Sequence, residues 1–178
     1  MGTALKLTQT LVLRDPDGAG HALRVTELAL RIAAALGAAD RRVDAIRAGG
    51  PLHDIGKLEV DRAILDKPGA LDPVELDEIR AHPELGARML QGVRSLRAAL
   101  DCVRHHHERW DGTGYPFGLG GHEIPLEARI LAVADAYDAM TSDRPYRAAR
   151  SHEEALAEVE RCAGSQFDPQ VADVFLSL

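Results

Sequence analysis

Apolar residues recur at three- and four-residue intervals along most of this chain, the spacing of helices that bury one face. A short helix is expected over residues 5–13, ended by Asp15-Pro16-Asp17-Gly18. A second, over 21–36, carries Val25, Leu28, Ala29, Ile32 and Leu36 on one stripe, with Gly37 placed to close it. A third covers 41–54, kinked at Gly49-Gly50-Pro51. Residues 66–71 read as a loop. Asp72-Pro73-Val74-Glu75 then has the marks of a helix start: an Asp cap, a proline in the first turn and an acid at the third position. Pro83 should hold His82 in a non-helical backbone and open the next helix, which carries Leu85, Met89 and Leu90. Further helices are expected over 95–107 and 127–141, after the capping box Ser151-His152-Glu153-Glu154, and from Asp168-Pro169. Between them, residues 108–125 are rich in glycine and form a long loop. No repeat interrupts the pattern, so the expectation is an all-α fold.

Composition sharpens this. A chain of 178 residues suits one domain, and its 4% aromatic content favours helices over sheets. No apolar run approaches the roughly 20 residues of a membrane span, and no basic-then-apolar leader opens the sequence. Cys102 and Cys162 form no motif and suit a reducing compartment, so a cytoplasmic protein is expected. The net charge of −7 argues against DNA binding through a basic face. A small anionic ligand would need Lys, Arg or metal ions around it.

The histidines and aspartates carry the chemical signal. His53-Asp54 ends one apolar helix, His106-His107 closes another, and His21 stands near the start of a third. Asp135 lies in the apolar run Ile130-Leu131-Ala132-Val133-Ala134-Asp135-Ala136-Tyr137, a costly place for a carboxylate that is neither paired nor bound to a metal. Each alone reads as a polar helix end; together they ask for more. Adjacent helical side chains diverge by about 100°, so a His-Asp or His-His pair can serve two ions side by side, with the Asp bridging. Imidazole and carboxylate donors without thiolate suit iron, manganese or zinc. Two such ions roughly 3.5–4 Å apart activate water and stabilise the leaving oxygen of a phosphodiester.

The ordered motifs extend further: His21-Ala22-Leu23-Arg24-Val25, His53-Asp54-Ile55-Gly56-Lys57, Lys67-Pro68-Gly69 and His82-Pro83. After these come His106-His107-Glu108-Arg109-Trp110-Asp111-Gly112-Thr113-Gly114-Tyr115-Pro116, Ala134-Asp135, Ser142-Asp143-Arg144-Pro145-Tyr146-Arg147 and Phe167-Asp168-Pro169. With these the chain resembles the HD-GYP branch of the HD phosphohydrolase superfamily, over about residues 15–175. The resemblance implies a single-domain, HD-type helical bundle with extra C-terminal helices and a Gly-Tyr-Pro loop. It also implies hydrolysis of cyclic di-GMP to pGpG, GMP or both by a metal-activated hydroxide, on two or three ions, usually iron or manganese. Matched position by position, the metal ligands are His21, His53, Asp54 as the bridge, His82, His106, His107 and Asp135. Lys57 matches a phosphate-binding lysine that assists proton transfer, so Asp54 and Lys57 are the catalytic candidates; Arg144 matches a second phosphate contact.

Members of the family with three ions carry a glutamate four residues before the first histidine. Asp17 stands there in this chain, one methylene shorter, and would be the distinguishing ligand of a third ion. His105, His122 and His152 match no ligand position. In the loop, Trp110 is expected to pack; Tyr115 is open between packing, stacking on substrate, and docking a diguanylate cyclase (GGDEF-type) domain. Two departures from the family are expected to matter. Leu58-Glu59-Val60-Asp61-Arg62 adds acids that would weaken binding of an anionic substrate, and Gly49-Gly50 would loosen the helix delivering His53 and Asp54. The alternatives are an HD phosphohydrolase of another cyclic nucleotide, against which the Gly-Tyr-Pro loop speaks, and a non-catalytic metal- and partner-binding domain, against which the full ligand set speaks.

Overall fold

In the computed structural model of the protein, residues 16–143 and 148–178 are described, with side chains from Gly18 onward. The helix expected over 5–13, the side chain of Asp17 and the whole of Arg144 lie outside them. The described residues form nine α-helices in order: α1 Pro16–Ala35, α2 Asp40–Gly49, α3 Arg62–Leu65, α4 Pro73–Arg80, α5 His82–Gln91, α6 Leu100–His105, α7 Leu126–Thr141, α8 His152–Arg161 and α9 Pro169–Leu176. Short 3-10 turns at Gly50–Leu52, Ile55–Glu59, Arg94–Ala99 and Gly121–Glu123 connect them, and the described residues contain no strand. The described residues form an all-α bundle, the class that the sequence pattern predicts. No described helix is long and apolar enough to cross a membrane.

Helix α1 shows why the pattern works. Val25, Ala29, Ile32 and Ala33 are fully buried, an i, i+4, i+7, i+8 stripe laid along α7. Burying one side chain such as Ile32 is worth about 1.5–3 kcal/mol. The helix stops as its sequence asks: Gly37 adopts φ 63°, while the Ala38 and Gly37 amides bond back to the Ala33 and Ala34 carbonyls. Asp72 and Ser151 form complete capping boxes with Glu75 and Glu154, and Asp168 caps α9.

Two apolar clusters result. The larger joins α1, α2, α7, α8 and α9. The smaller, of Leu52, Ile55, Leu90, Leu96, Ala99 and Val103, lies between α5, α6 and the 3-10 turns.

Three expectations are corrected. The helix over 41–54 ends at Gly49 and passes into 3-10 turns, because the chain there runs too close to its neighbours for side chains. A Cβ on Gly50 would meet the Thr26 hydroxyl oxygen at 2.4 Å, and one on Gly49 would meet the Cys102 Cβ at 2.6 Å. The glycines therefore serve close packing and do not loosen the segment. His82 is the first residue of α5, not a break before it; Pro83 falls where an amide has no intrahelical acceptor, so its missing donor costs nothing. The helix over 95–107 is a 3-10 turn followed by α6, which ends at His105.

Candidate metal centre

Three histidines owe their orientation to the same local device. His53 Nδ1 lies 2.7 Å from the Gly50 carbonyl, His82 Nδ1 2.7 Å from Ile79, and His106 Nδ1 2.9 Å from Val103, each three residues back. A carbonyl oxygen only accepts, so each Nδ1 carries a proton, and it is Nε2 whose lone pair a metal ion would take. All three rings are at most 2% exposed. Their Nε2 atoms converge on Asp54: 3.5 Å from His53 to Oδ2, and 3.2 and 3.8 Å from His82 and His106 to Oδ1.

Donor atoms gather in two groups that share Asp54. One holds His21, His53 and Asp54; the other holds Asp54, His82, His106 and His107; within each, all donor atoms lie within 4.8 Å of one another. Asp135 closes on the first group, its Oδ1 3.1 Å from His21 Nε2. Every fully described ligand candidate is thus brought together: His21 from α1, His53 and Asp54 from the turn after α2, His82 from α5, His106 and His107 from the end of α6, Asp135 from α7. Helix α1 begins at Pro16, so the backbone of Asp17 is helical and one turn before that of His21.

These residues fit divalent cations, and the strain left without them says so. His53 Nε2 and Asp54 Oδ1 are buried with no hydrogen bond. The Nε2 atoms of His82 and His106 face each other at 3.3 Å, both turned toward Asp54. A cation within reach of both relieves all of this.

Electrostatics point the same way. Burial pushes the Asp54 carboxyl up, yet Lys57, His53 and its histidine contacts hold it well below the usual carboxylate range. Burial likewise raises Asp135, and His21 outweighs it, so Asp135 too stays ionised. Burial lowers His106 and His107, and their neighbouring rings add to this, which keeps both as neutral donors. Two anionic carboxylates beside the neutral imidazoles of His106 and His107 make a seat for positive charge.

Lys57 reaches back to Asp54, Nζ to Oδ2 at 2.6 Å, at the edge of both groups. Tyr115 stacks on His107, centroids 4.8 Å apart and planes at 27°, and the guanidinium carbon of Arg80 lies 5.6 Å from its ring centre. A cavity of about 180 Å³ opens here between His106, His107, Tyr115, Asp135 and Gln166. Glu108, 3% exposed, accepts the Phe117 and Leu119 amides and so ties the glycine-rich loop down. Trp110 packs edge-on to His122 and beside Arg129, as expected of it. His122 and His152 stand apart from the donor groups, the latter on the Tyr137 hydroxyl. Of the added acids, Asp61 caps α3 and Glu59 is exposed.

Sequence reasoning missed Asp138 and Arg24. His21 Nδ1 donates to Asp138 Oδ2 at 2.7 Å, and Arg24 clamps that carboxylate with bonds of 2.7 and 2.9 Å. The available signal was the three-residue spacing from Asp135 to Asp138 within the otherwise apolar run of residues 130–140.

A model of the HD domain family matches residues 6–171. The chain belongs to the HD domain family. This HD domain is 42% identical over 167 residues to a cyclic di-GMP phosphodiesterase of Thermotoga maritima, covering 93% of this chain and 45% of that one. It is 46% identical over 157 residues to a cyclic di-GMP phosphodiesterase of Pseudomonas aeruginosa (88% and 38% covered). It is also 41% identical over 157 residues to a 3′3′-cGAMP-specific phosphodiesterase of Vibrio cholerae (88% and 34% covered). The HD domain therefore spans less than half the length of these relatives. Among solved structures, an HDG"Y"P protein of Bdellovibrio bacteriovorus shares the fold, with a TM-score of 0.71 at 21% identity over 89% of this chain and 51% of that one.

Proposed function

We propose that this HD domain is a metal-dependent phosphodiesterase that hydrolyses cyclic di-GMP to pGpG, GMP or both. The observation that carries the reading is the double membership of Asp54, one carboxylate common to two donor groups, as a two-ion phosphodiesterase centre requires. Similarity to relatives named cyclic di-GMP phosphodiesterases supplies the substrate.

His21, His53, Asp54, Asp135, His82, His106 and His107 would hold two ions, with iron or manganese suited to so many imidazoles and carboxylates. Such ions supply an acidified water and take up charge on the phosphoryl oxygens. Lys57, beside Asp54, would donate a charge-assisted hydrogen bond to a nonbridging phosphate oxygen. Arg144 would make a second such contact, by its place in the family motif. Burial raises the Tyr115 phenol well above its usual range, so its hydroxyl stays protonated and can donate to substrate. Asp17 would serve a third ion from its turn before His21. Phe117, 56% exposed on the Gly-Tyr-Pro loop, offers an apolar contact for a GGDEF-type domain.

A second reading, cleavage of 3′3′-cGAMP, is favoured by the 41% identity to a relative of that name. The test is metal analysis of protein purified without oxygen, then hydrolysis of both dinucleotides side by side. Faster cleavage of cyclic di-GMP is expected; preference for 3′3′-cGAMP would install the second reading. A fully loaded protein that cleaves neither would leave a metal- and partner-binding domain.

A further inference from the structure

Several of the described cations are already committed. Lys57 holds Asp54, Arg24 holds Asp138, Arg109 holds Asp111, Arg104 holds Glu84 and Lys67 holds Glu75. Arg80 is different. It is exposed at the end of α4, and among the described residues it makes no ion pair. Its guanidinium lies over the ring of Tyr115, which stacks in turn on His107 and lines the cavity with His106 and Asp135.

The backbone holds Arg80 in place. The carbonyl just before it, on Ile79, is the one that orients His82, and the Ala81 amide just after it bonds back into α4. Arg80 thus projects from a fixed point next to the donor groups, with an aromatic face to lean on.

The substrate supplies the reason for such a cation. A cyclic dinucleotide carries two phosphodiesters in one ring, and only one can lie over the donor groups. The other remains anionic and must sit close by, in a chain of net charge −7 whose nearest acids are Asp54 and Asp135. A planar guanidinium matches a phosphate with two parallel hydrogen bonds and can keep its stacking on Tyr115 while doing so. Building on the proposed function, we infer that Arg80 is a substrate-binding residue that holds the second, uncut phosphate of the cyclic dinucleotide at the mouth of the site.

The experiment compares metal-loaded wild type, Arg80→Ala and Arg80→Lys on cyclic di-GMP and on bis(p-nitrophenyl) phosphate, which has a single phosphate. Arg80→Ala should raise KM for cyclic di-GMP about tenfold or more, the worth of one charge-assisted contact. Its kcat, its metal content and its rate on the single-phosphate diester should stay at the wild-type level, with Arg80→Lys in between. An unchanged KM overturns the inference. So does an equal loss on both substrates or a loss of metal, either of which makes Arg80 a support for Tyr115 and His107. If wild type cleaves nothing, the phosphodiesterase reading falls by itself. Calorimetric binding of cyclic di-GMP then decides for Arg80, equal affinity in wild type and Arg80→Ala overturning its role.

Discussion

His21 and Asp138 meet at 2.7 Å, the imidazole Nδ1 donating to a carboxylate that Arg24 grips from its other side. The contact fixes both the tautomer and the angle of the ring, leaving Nε2 to face Asp135 at 3.1 Å. It is a carboxylate–histidine pair of the kind that stands behind metal ligands. Asp138→Asn keeps an acceptor for Nδ1 but removes the charge and weakens the clamp. Affinity for the ion held by His21, His53 and Asp54 should fall about 10–100-fold, with helix content unchanged. Metal titration monitored by mass spectrometry checks this; undiminished affinity would leave Asp138 with a purely structural role.

The shared carboxylate makes a prediction about stoichiometry. Asp54→Ala should empty both sites, whereas His82→Ala should cost only the ion of its own group. Elemental analysis of the two purified variants separates these outcomes, and equal metal loss in both would contradict the two-group arrangement.

Lys57 touches Asp54, but its ammonium has no lone pair to offer a metal ion. Lys57→Ala should therefore keep its metal and lose turnover by about 10²–10³-fold, as when one electrostatic stabiliser of a transition state is removed. Steady-state kinetics beside metal analysis distinguishes this from a ligand's behaviour, and wild-type turnover would remove Lys57 from the mechanism.

Gly56 packs against the backbone that begins α5. A Cβ there would meet the His82 carbonyl oxygen at 1.9 Å and the Gly86 nitrogen at 2.6 Å, both backbone atoms that cannot swing aside. Gly56→Ala should destabilise by about 1–3 kcal/mol or more, a fall in Tm of several degrees for a chain of this size. Metal affinity should fall with it, since His82 must move. Calorimetric unfolding at unchanged Tm would refute the packing argument.

The loop offers a pH test. Hydrogen bonds from Arg109 and Thr113 hold Asp111 at about 2, below its ordinary 3.8. A depressed carboxyl stabilises the loop above the ordinary range, and that contribution is lost as pH falls through about 2. Between pH 5 and 8 the tie should therefore be constant. Carbon-detected NMR titration should find Asp111 near 2 in the wild type and closer to 3.8 in Arg109→Ala.

The helices were readable from sequence because burial along one face leaves a local record, as with Val25, Ala29 and Ile32. The caps were readable for the same reason: Ser151 and Glu154 are neighbours in the chain. The turns that carry His53 and Asp54 were not, because Gly50 and Gly56 answer to Thr26 and His82, partners far away in sequence. The ligand candidates could be named by motif, but not their division into two groups or the common orientation of His53, His82 and His106. Asp138 escaped because an aspartate near the end of a helix reads as an ordinary polar residue until His21 is placed against it.

The donor atoms come from stretches as far apart as His21 and Asp135, so bound ions would act as cross-links, closing long loops that the unfolded chain would otherwise leave open. Metal loading and folding then become a single equilibrium, in which ion concentration sets how much of the chain stays folded. In a metal-starved cell, the first consequence would be a shorter lifetime for the protein itself, with slow catalysis only the second.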